Sequence, residues 1–110
     1  RVKINSYLNV TANSEEALRV AVYKNPVASG IDGVGLQYYQ SGILGTDRCS
    51  SDPGHGVLIV GYGTEGNTPY WKVKNLWGAD WGENGYFRIE RLEGKGACGI
   101  NVMDNYPTNQ

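Results

Sequence analysis

Three short segments in the second half of this chain constrain its fold more than any other feature. They are residues 55–62 (HGVLIVGY), 69–75 (PYWKVKN) and 85–91 (GYFRIER), and turns rich in Gly, Asn, Thr and Asp separate them. In the middle segment the apolar Trp71 and Val73 alternate with lysines, which is the period of a half-buried strand. Strands of this length with such turns predict a mainly antiparallel β domain.

The first half of the chain adds one helix. Residues 14–25 (SEEALRVAVYKN) begin with a serine that can cap the helix, and they place Leu18 and Val22 four positions apart on one face. A proline follows and ends the helix. We also expect a short strand over 26–32 and a turn that leads into a strand over 35–44. The 110 residues fit one domain with one core.

Charge and hydropathy argue against several classes of partner. The net charge is −1 and no strong cluster of Lys and Arg is present, so we expect neither nucleic acid nor an anionic membrane as a partner. No apolar run approaches the roughly 20 residues of a membrane-spanning helix. The first ten residues lack the apolar middle of a signal peptide. No pattern in the sequence indicates a cofactor.

The two cysteines, Cys49 and Cys98, lie in loops rich in Gly or Ser, and neither has the close Cys or His neighbours of a zinc site. This favours a disulfide, which in the entropic description would stabilise the fold by about 4 kcal/mol. A disulfide implies an oxidising location: secreted, lysosomal or vacuolar. The triplet Asn9-Val10-Thr11 is a glycosylation sequon and agrees with that expectation.

His55, the only histidine, begins the first of the three strands. A hairpin loop over 63–69, centred near Glu65, would set residue i opposite residue 130 − i and His55 opposite Asn75. Cross-strand Cβ atoms are about 5 Å apart, so the two side chains could form a hydrogen bond. If the amide oxygen accepted a hydrogen bond from one ring nitrogen of His55, the other ring nitrogen could act as a base. A one-residue slip would turn Asn75 to the other face, and on spacing alone a strand-end histidine bound by a loop explains the pattern equally well.

Three runs of the sequence resemble one known family. GHGVLIVGYG, PYWKVKNLWGADWGENGYFRIER and ACGI…NYP occur in the order and spacing of the C-terminal half of papain-family cysteine proteases, which include the lysosomal cathepsins. The resemblance extends from the predicted helix to Tyr106-Pro107. It implies that residues 1–110 are the β-rich, barrel-like C-terminal domain of an α+β enzyme, and that the helical N-terminal domain is absent from this chain.

The resemblance also implies a role for individual side chains. His55 would be the catalytic histidine that forms a thiolate–imidazolium pair and later protonates the leaving amine, and Asn75 would orient its ring. Trp77 would shield the bond between them from water. Cys49 and Cys98 match positions that the family joins by a disulfide. From the residues alone, the aromatic cluster around Trp77 could equally be core filling.

The proposed substrate pocket follows from the same resemblance. Gly30, Gly56 and Met103 match positions that line the pocket for the second residue before the scissile bond, which suggests a roomy apolar pocket. Two positions depart from the family. Gly54 stands where the family usually has Asp or Asn, which bears on the pocket rim and the pH optimum. Leu76 stands where Ser is common.

The resemblance implies a hydrolase, specifically a thiol protease that cleaves peptide bonds. The nucleophile of the family lies in a Gln…Cys-Gly-Ser-Cys-Trp segment that this sequence lacks. The expected partners are therefore an N-terminal half-domain that carries this cysteine, peptide or protein substrates, and protein inhibitors of the cystatin type. Alone, the chain should be inactive, and unstable or dimeric, because a split domain would expose an apolar wall.

Three alternatives to this interpretation are open. A homologue whose nucleophile is replaced would be a non-catalytic binding or structural protein. Cys49 could be the nucleophile with His55 in a self-contained enzyme. A metal site formed by His55, Cys49 and Asp52 would have too few ligands for a closed zinc shell.

Overall fold

The computed structural model describes residues 6–33, 36, 39–45, 54–75 and 80–108. The elements in chain order are β1 (Ser6–Asn9), α1 (Glu15–Lys24), β2 (Val27–Ile31), β3 (Ile43–Leu44), β4 (His55–Glu65), β5 (Thr68–Lys74), β6 (Tyr86–Glu90), a 3₁₀ turn (Ala97–Gly99) and β7 (Met103–Thr108).

The strands form one seven-stranded sheet in the order β1-β7-β2-β4-β5-β6-β3. Every neighbouring pair is antiparallel except β3 with β6. This confirms the predicted fold class of a mainly antiparallel β domain with one N-terminal helix. The analysis missed β1 and β7, whose short polar sequences SYLN and MDNYPT carry no alternating apolar signal.

Helix α1 forms as predicted: it has the expected serine cap at its start, and its apolar face is buried. The Ser14 side chain accepts a hydrogen bond from the Ala17 backbone N–H at 3.1 Å, which satisfies one of the unpaired donors at the helix N-terminus. Leu18 and Val22 are buried against the sheet. Asn25 ends the helix in an extended conformation.

The core lies between α1 and the inner face of the sheet. Burial alternates along β2 and β6, and in β5 the buried Trp71 and Val73 alternate with exposed lysines as predicted. The fully buried side chains with the largest volumes include Trp71, Phe87, Leu18, Ile31, Leu36 and Ile59. This packing fixes which face of β4 and β5 points inward.

The predicted pairing of β4 with β5 is wrong by two to three residues. The loop is not 63–69: the strands continue to Glu65 and resume at Thr68, and Gly66, with φ 62°, occupies the first position of a two-residue turn. Near the turn the paired residue numbers sum to 133. Beyond a bulge between Ile59 and Gly61 they sum to 132 instead of 130. The turn is centred between Gly66 and Asn67 and not near Glu65, which raises the sum by three, and the extra residue of the bulge then lowers it by one.

Candidate active site

His55 and Asn75 meet at the end of the β4–β5 pair. The His55 Nε2 and Asn75 Oδ1 atoms are 3.0 Å apart. Extending the observed pairing one residue past β5 places Asn75 level with Val57, so Asn75 is a diagonal neighbour of His55 and not its direct partner. The two residues still share a face, because a shift of two positions preserves the face of a strand. The expected contact therefore forms although the register that predicted it was wrong.

The polarity of this contact assigns the ring hydrogen. An amide oxygen can only accept, so Nε2 must carry the hydrogen and Nδ1 is left to take or give a proton. Asn75 is 3% exposed, and its backbone N–H donates to the Gly85 carbonyl at 3.1 Å. The oxygen that orients His55 is thus held by a buried residue, while the histidine itself is only partly buried.

His55 is also confined from the side of β2. It pairs with Ile31 in the sheet, and the chain then continues to Gly33. A Cβ on Gly33 would lie 2.9 Å from both Cβ and Cγ of His55, closer than such contacts normally allow. Gly33 thus allows the backbone to lie directly against the imidazole. The sequence analysis did not single it out, because no local pattern marks this packing.

The three residues predicted to line the substrate pocket are direct neighbours across the sheet. Gly30 of β2 pairs with Met103 of β7 on one side and with Gly56 of β4 on the other. Met103 is 59% exposed, which is high for a methionine. A Cβ on Gly54 or Gly56 would meet nothing within 4 Å. We call Met103, Gly30 and Gly56 the glycine row; it is open at Met103 and Gly56, and His55 directly precedes Gly56 in β4.

A buried acid lies beside this row. Asp104 follows Met103, pairs with Ser29 and is 5% exposed. Its Oδ1 has no hydrogen-bond partner among the described residues, and the Ser29 hydroxyl donates to the Ile100 carbonyl at 3.2 Å. Burial raises the pKa of Asp104 to about 7, against a smaller lowering effect of Ser29. The sequence analysis missed Asp104, because β7 itself was not predicted.

Several predicted residues lie outside the described residues: Cys49, Asp52, Leu76 and Trp77. Cys98 is buried in the 3₁₀ turn and is not a free thiol, while its pairing with Cys49 stays a prediction. Asn9 is exposed at the end of β1.

The described residues offer no metal site. No group of three or more His, Cys, Asp or Glu side chains among them could hold a metal ion. In the same part of the chain, no helix is long and apolar enough to cross a membrane.

Residues 1–108 match the sequence profile of the papain family cysteine proteases. The chain is 48% identical to Vignain from Phaseolus vulgaris over 111 residues, covering 96% of this chain and 30% of Vignain. It is 45% identical to Thiol protease SEN102 from Hemerocallis sp., covering 96% of this chain and 31% of that protein. The chain therefore spans about a third of the length of these curated relatives.

Solved structures agree with this match. The bromelain protease from Ananas comosus, in complex with the E64 inhibitor, superposes with a TM-score of 0.91 at 39% identity, covering 97% of this chain and 51% of that one. The ragweed pollen allergen Amb a 11, a cysteine protease in its proform, gives 0.91 at 44% identity, covering 99% and 34%. Sequence and shape lead to one assignment: this chain belongs to the papain family of cysteine proteases.

Proposed function

We propose that this chain is the C-terminal domain of a papain-like cysteine endopeptidase and supplies its catalytic base. The observation that carries the proposal is the 3.0 Å contact between His55 Nε2 and Asn75 Oδ1. It orients the ring of a partly exposed histidine that directly precedes Gly56 of the glycine row. The nucleophilic cysteine would come from an N-terminal domain outside this chain, since neither Cys49 nor Cys98 matches the position of that cysteine in the family.

In this reaction, the N-terminal domain would supply the nucleophile and this chain the histidine. A thiolate from the N-terminal domain attacks the peptide carbonyl, and His55 gives its Nδ1 proton to the departing amine. Water then attacks the acyl-enzyme, and His55 takes up the proton that this water loses. Asn75 keeps the ring in one tautomer throughout, and Trp77 would shield the His–Asn bond from water. Peptide or protein substrates would lie along the glycine row with a bulky apolar side chain above it.

The remaining expectations belong to the same proposal. A Cys49–Cys98 disulfide would tie the 3₁₀ turn to the loop before β4, and it would require an oxidising location: lysosomal, vacuolar or secreted. Protein inhibitors of the cystatin type would compete for the same cleft.

Labelling of the complete protein with the epoxide inhibitor E64 tests the proposal. Mass spectrometry under non-reducing, denaturing conditions would locate the label on a cysteine outside this chain. An unlabelled protein with no cysteine in the N-terminal domain would instead identify a non-catalytic homologue. A label on Cys49 would support a self-contained enzyme.

A matched pair of variants tests the positioning role of Asn75. Asn75→Ala should lower kcat by about 10²-fold and change the pH profile of the labelling rate, because the ring loses its fixed tautomer. Lys74→Ala, the adjacent exposed residue on the opposite face, should leave both unchanged. Equal kinetics of the two variants would contradict the role of Asn75.

A further inference from the structure

The sequon lies beside the larger of two cavities near strand β1. Asn9 and Thr11 are both exposed, and both line a cavity of about 450 Å³ between β1, β7 and helix α1. Asn9 is the last residue of β1, so the chain leaves the sheet at the modified position and the acceptor amide is accessible. A cavity of this size falls within the roughly 300–1,000 Å³ of small-molecule sites.

The opposite wall of the cavity is one face of α1. Ala17, Val20, Ala21 and Lys24 occupy positions i, i+3, i+4 and i+7, and thus lie on one side of the helix. Val20 is 49% exposed, although the adjacent helix face with Leu18 and Val22 is buried. This side of α1 is therefore open and carries both apolar and polar side chains.

The lining fits a sugar better than a purely apolar ligand. Val20 and the ring of Tyr106 offer surfaces for the C–H faces of a pyranose. Glu16, Lys24 and Asn25 stand on the same wall and could bind its hydroxyl and acetamide groups. Such alternation of apolar and polar groups matches the amphipathic character of an N-acetylglucosamine ring.

From this arrangement we infer that Asn9 carries an N-linked glycan whose first sugars bind in this cavity. The covalent link would supply an effective sugar concentration of the order of mM, so a weak site would still be filled. A sugar that binds only the folded chain stabilises it. A second cavity of about 270 Å³ also includes Asn9, but Thr11 does not line it and it extends towards Met103. The glycan would thus pin α1 to the β1–β7 edge, away from the glycine row.

The test uses the complete protein from a eukaryotic secretory host. Peptide mapping should find a glycan on Asn9, the only sequon in this chain. After trimming to a single N-acetylglucosamine, the protein should melt about 2–4 °C above the Asn9→Gln variant. The glycan should also be released slowly by an amidase under native conditions. An unmodified Asn9, or equal melting temperatures, would overturn the inference.

A second pair of variants separates binding in the cavity from the mere presence of a glycan. Val20→Gln removes an apolar wall but keeps the sequon, so it should abolish the gain in melting temperature and speed the release of the glycan. Tyr23→Gln changes a 79% exposed residue of the same helix outside the cavity and should preserve both. Identical behaviour of the two variants would contradict binding in the cavity. No readout depends on proteolysis, so failure here leaves the proposed function untouched.

Discussion

Two regions of this domain each bury a carboxyl group, but they surround it with opposite environments. Glu15, at the start of α1, is 7% exposed and bound by two arginines, with Arg19 Nε and Arg91 Nη1 each 2.9 Å from Oε2. Burial raises the pKa of Glu15, but the hydrogen bonds and charges of Arg91 and Arg19 outweigh it and leave that pKa below its ordinary value. Asp104, beside the glycine row, is 5% exposed; its Oδ1 has no hydrogen-bond partner among the described residues, and its pKa is raised to about 7.

The region around Glu15 is built for cohesion. Besides binding Glu15, Arg91 donates to the Gly63 carbonyl at 3.3 Å and lies over the rings of Tyr62 and Trp71, at 5.4 and 5.7 Å. Arg91 thus links the helix to the β4–β5 hairpin in two ways. It forms a largely buried ion pair with Glu15, and it makes cation–π contacts with the two rings.

The region around His55 has the opposite construction. Its strands carry Gly56, where a side chain would meet open space, an exposed methionine, and a buried acid with no cation beside it among the described residues. Each feature costs stability and none fills the core. The contacts of Arg91 thus link α1 to the β4–β5 hairpin, whereas the surface beside His55 is left open.

The variant His55→Ala should have the largest effect. We expect kcat/KM of the complete protein to fall by about 10³-fold or more, because the proposed proton donor to the leaving amine is lost. The melting temperature should change little, since the ring is only partly buried. Peptide hydrolysis and thermal unfolding, measured on one preparation, check the predicted changes in kcat/KM and in melting temperature. A large loss of stability with retained activity would show that His55 is a structural residue.

Asp104→Asn should change how stability depends on pH. The folded chain holds the proton of Asp104 up to about pH 7, whereas an unfolded aspartate loses it near its ordinary pKa of 3.8. The folded state therefore binds more protons between these values, and its stability falls as pH rises through that window. The neutral amide removes the effect, so the variant should be more stable by about 3 kcal/mol at pH 8 and similar to the parent at pH 4.

Denaturant titrations at both pH values measure this difference. Asp80→Asn, at an exposed position, serves as the control and should match the parent at both. An Asp104→Asn variant that is less stable than the parent at pH 8 would show that the carboxylate has a partner the described residues do not include.

Glu15→Gln should act with the opposite sign. The lowered pKa of Glu15 means that its contribution is present above its unfolded pKa and is lost as pH falls through the folded value. We expect the variant to lose about 2 kcal/mol at pH 7, because Arg91 keeps its burial and loses its anion. The loss should shrink below about pH 4. Urea unfolding checks this, with the exposed neighbour in Glu16→Gln as control; equal losses in both would contradict the buried network.

Local signals predicted the elements better than the contacts between them. The cap and the four-residue spacing of Leu18 and Val22 located α1, and alternation located β5. The register of the hairpin was wrong, because the prediction was centred near Glu65 and not on the Gly66-Asn67 pair that forms the turn, and because no residue pattern marks the bulge near Val60. The His55–Asn75 contact was still anticipated, since the error was an even number of residues.

The residues that were missed share one physical reason. Asp104 lies on a strand with no alternating apolar signal, and Gly33 is close to His55 only through the pairing of β2 with β4. Their environments are created by neighbours distant in sequence. The glycine row, in contrast, was named from the family resemblance, and only the sheet showed that its three members are adjacent.

Gly56→Leu tests whether the openness of that row serves selectivity. A side chain at residue 56 would point into open space, so the variant should fold as the parent does. It would also occupy part of the open space at Gly56, next to Gly30, in which a bulky apolar substrate side chain is proposed to lie. The ratio of kcat/KM for a peptide with Leu to one with Ala at the second position before the scissile bond should fall about tenfold. Because both peptides meet the same catalytic groups, the ratio isolates the pocket from the chemistry. An unchanged ratio would place the substrate side chain elsewhere and leave the glycines to be explained by backbone packing alone.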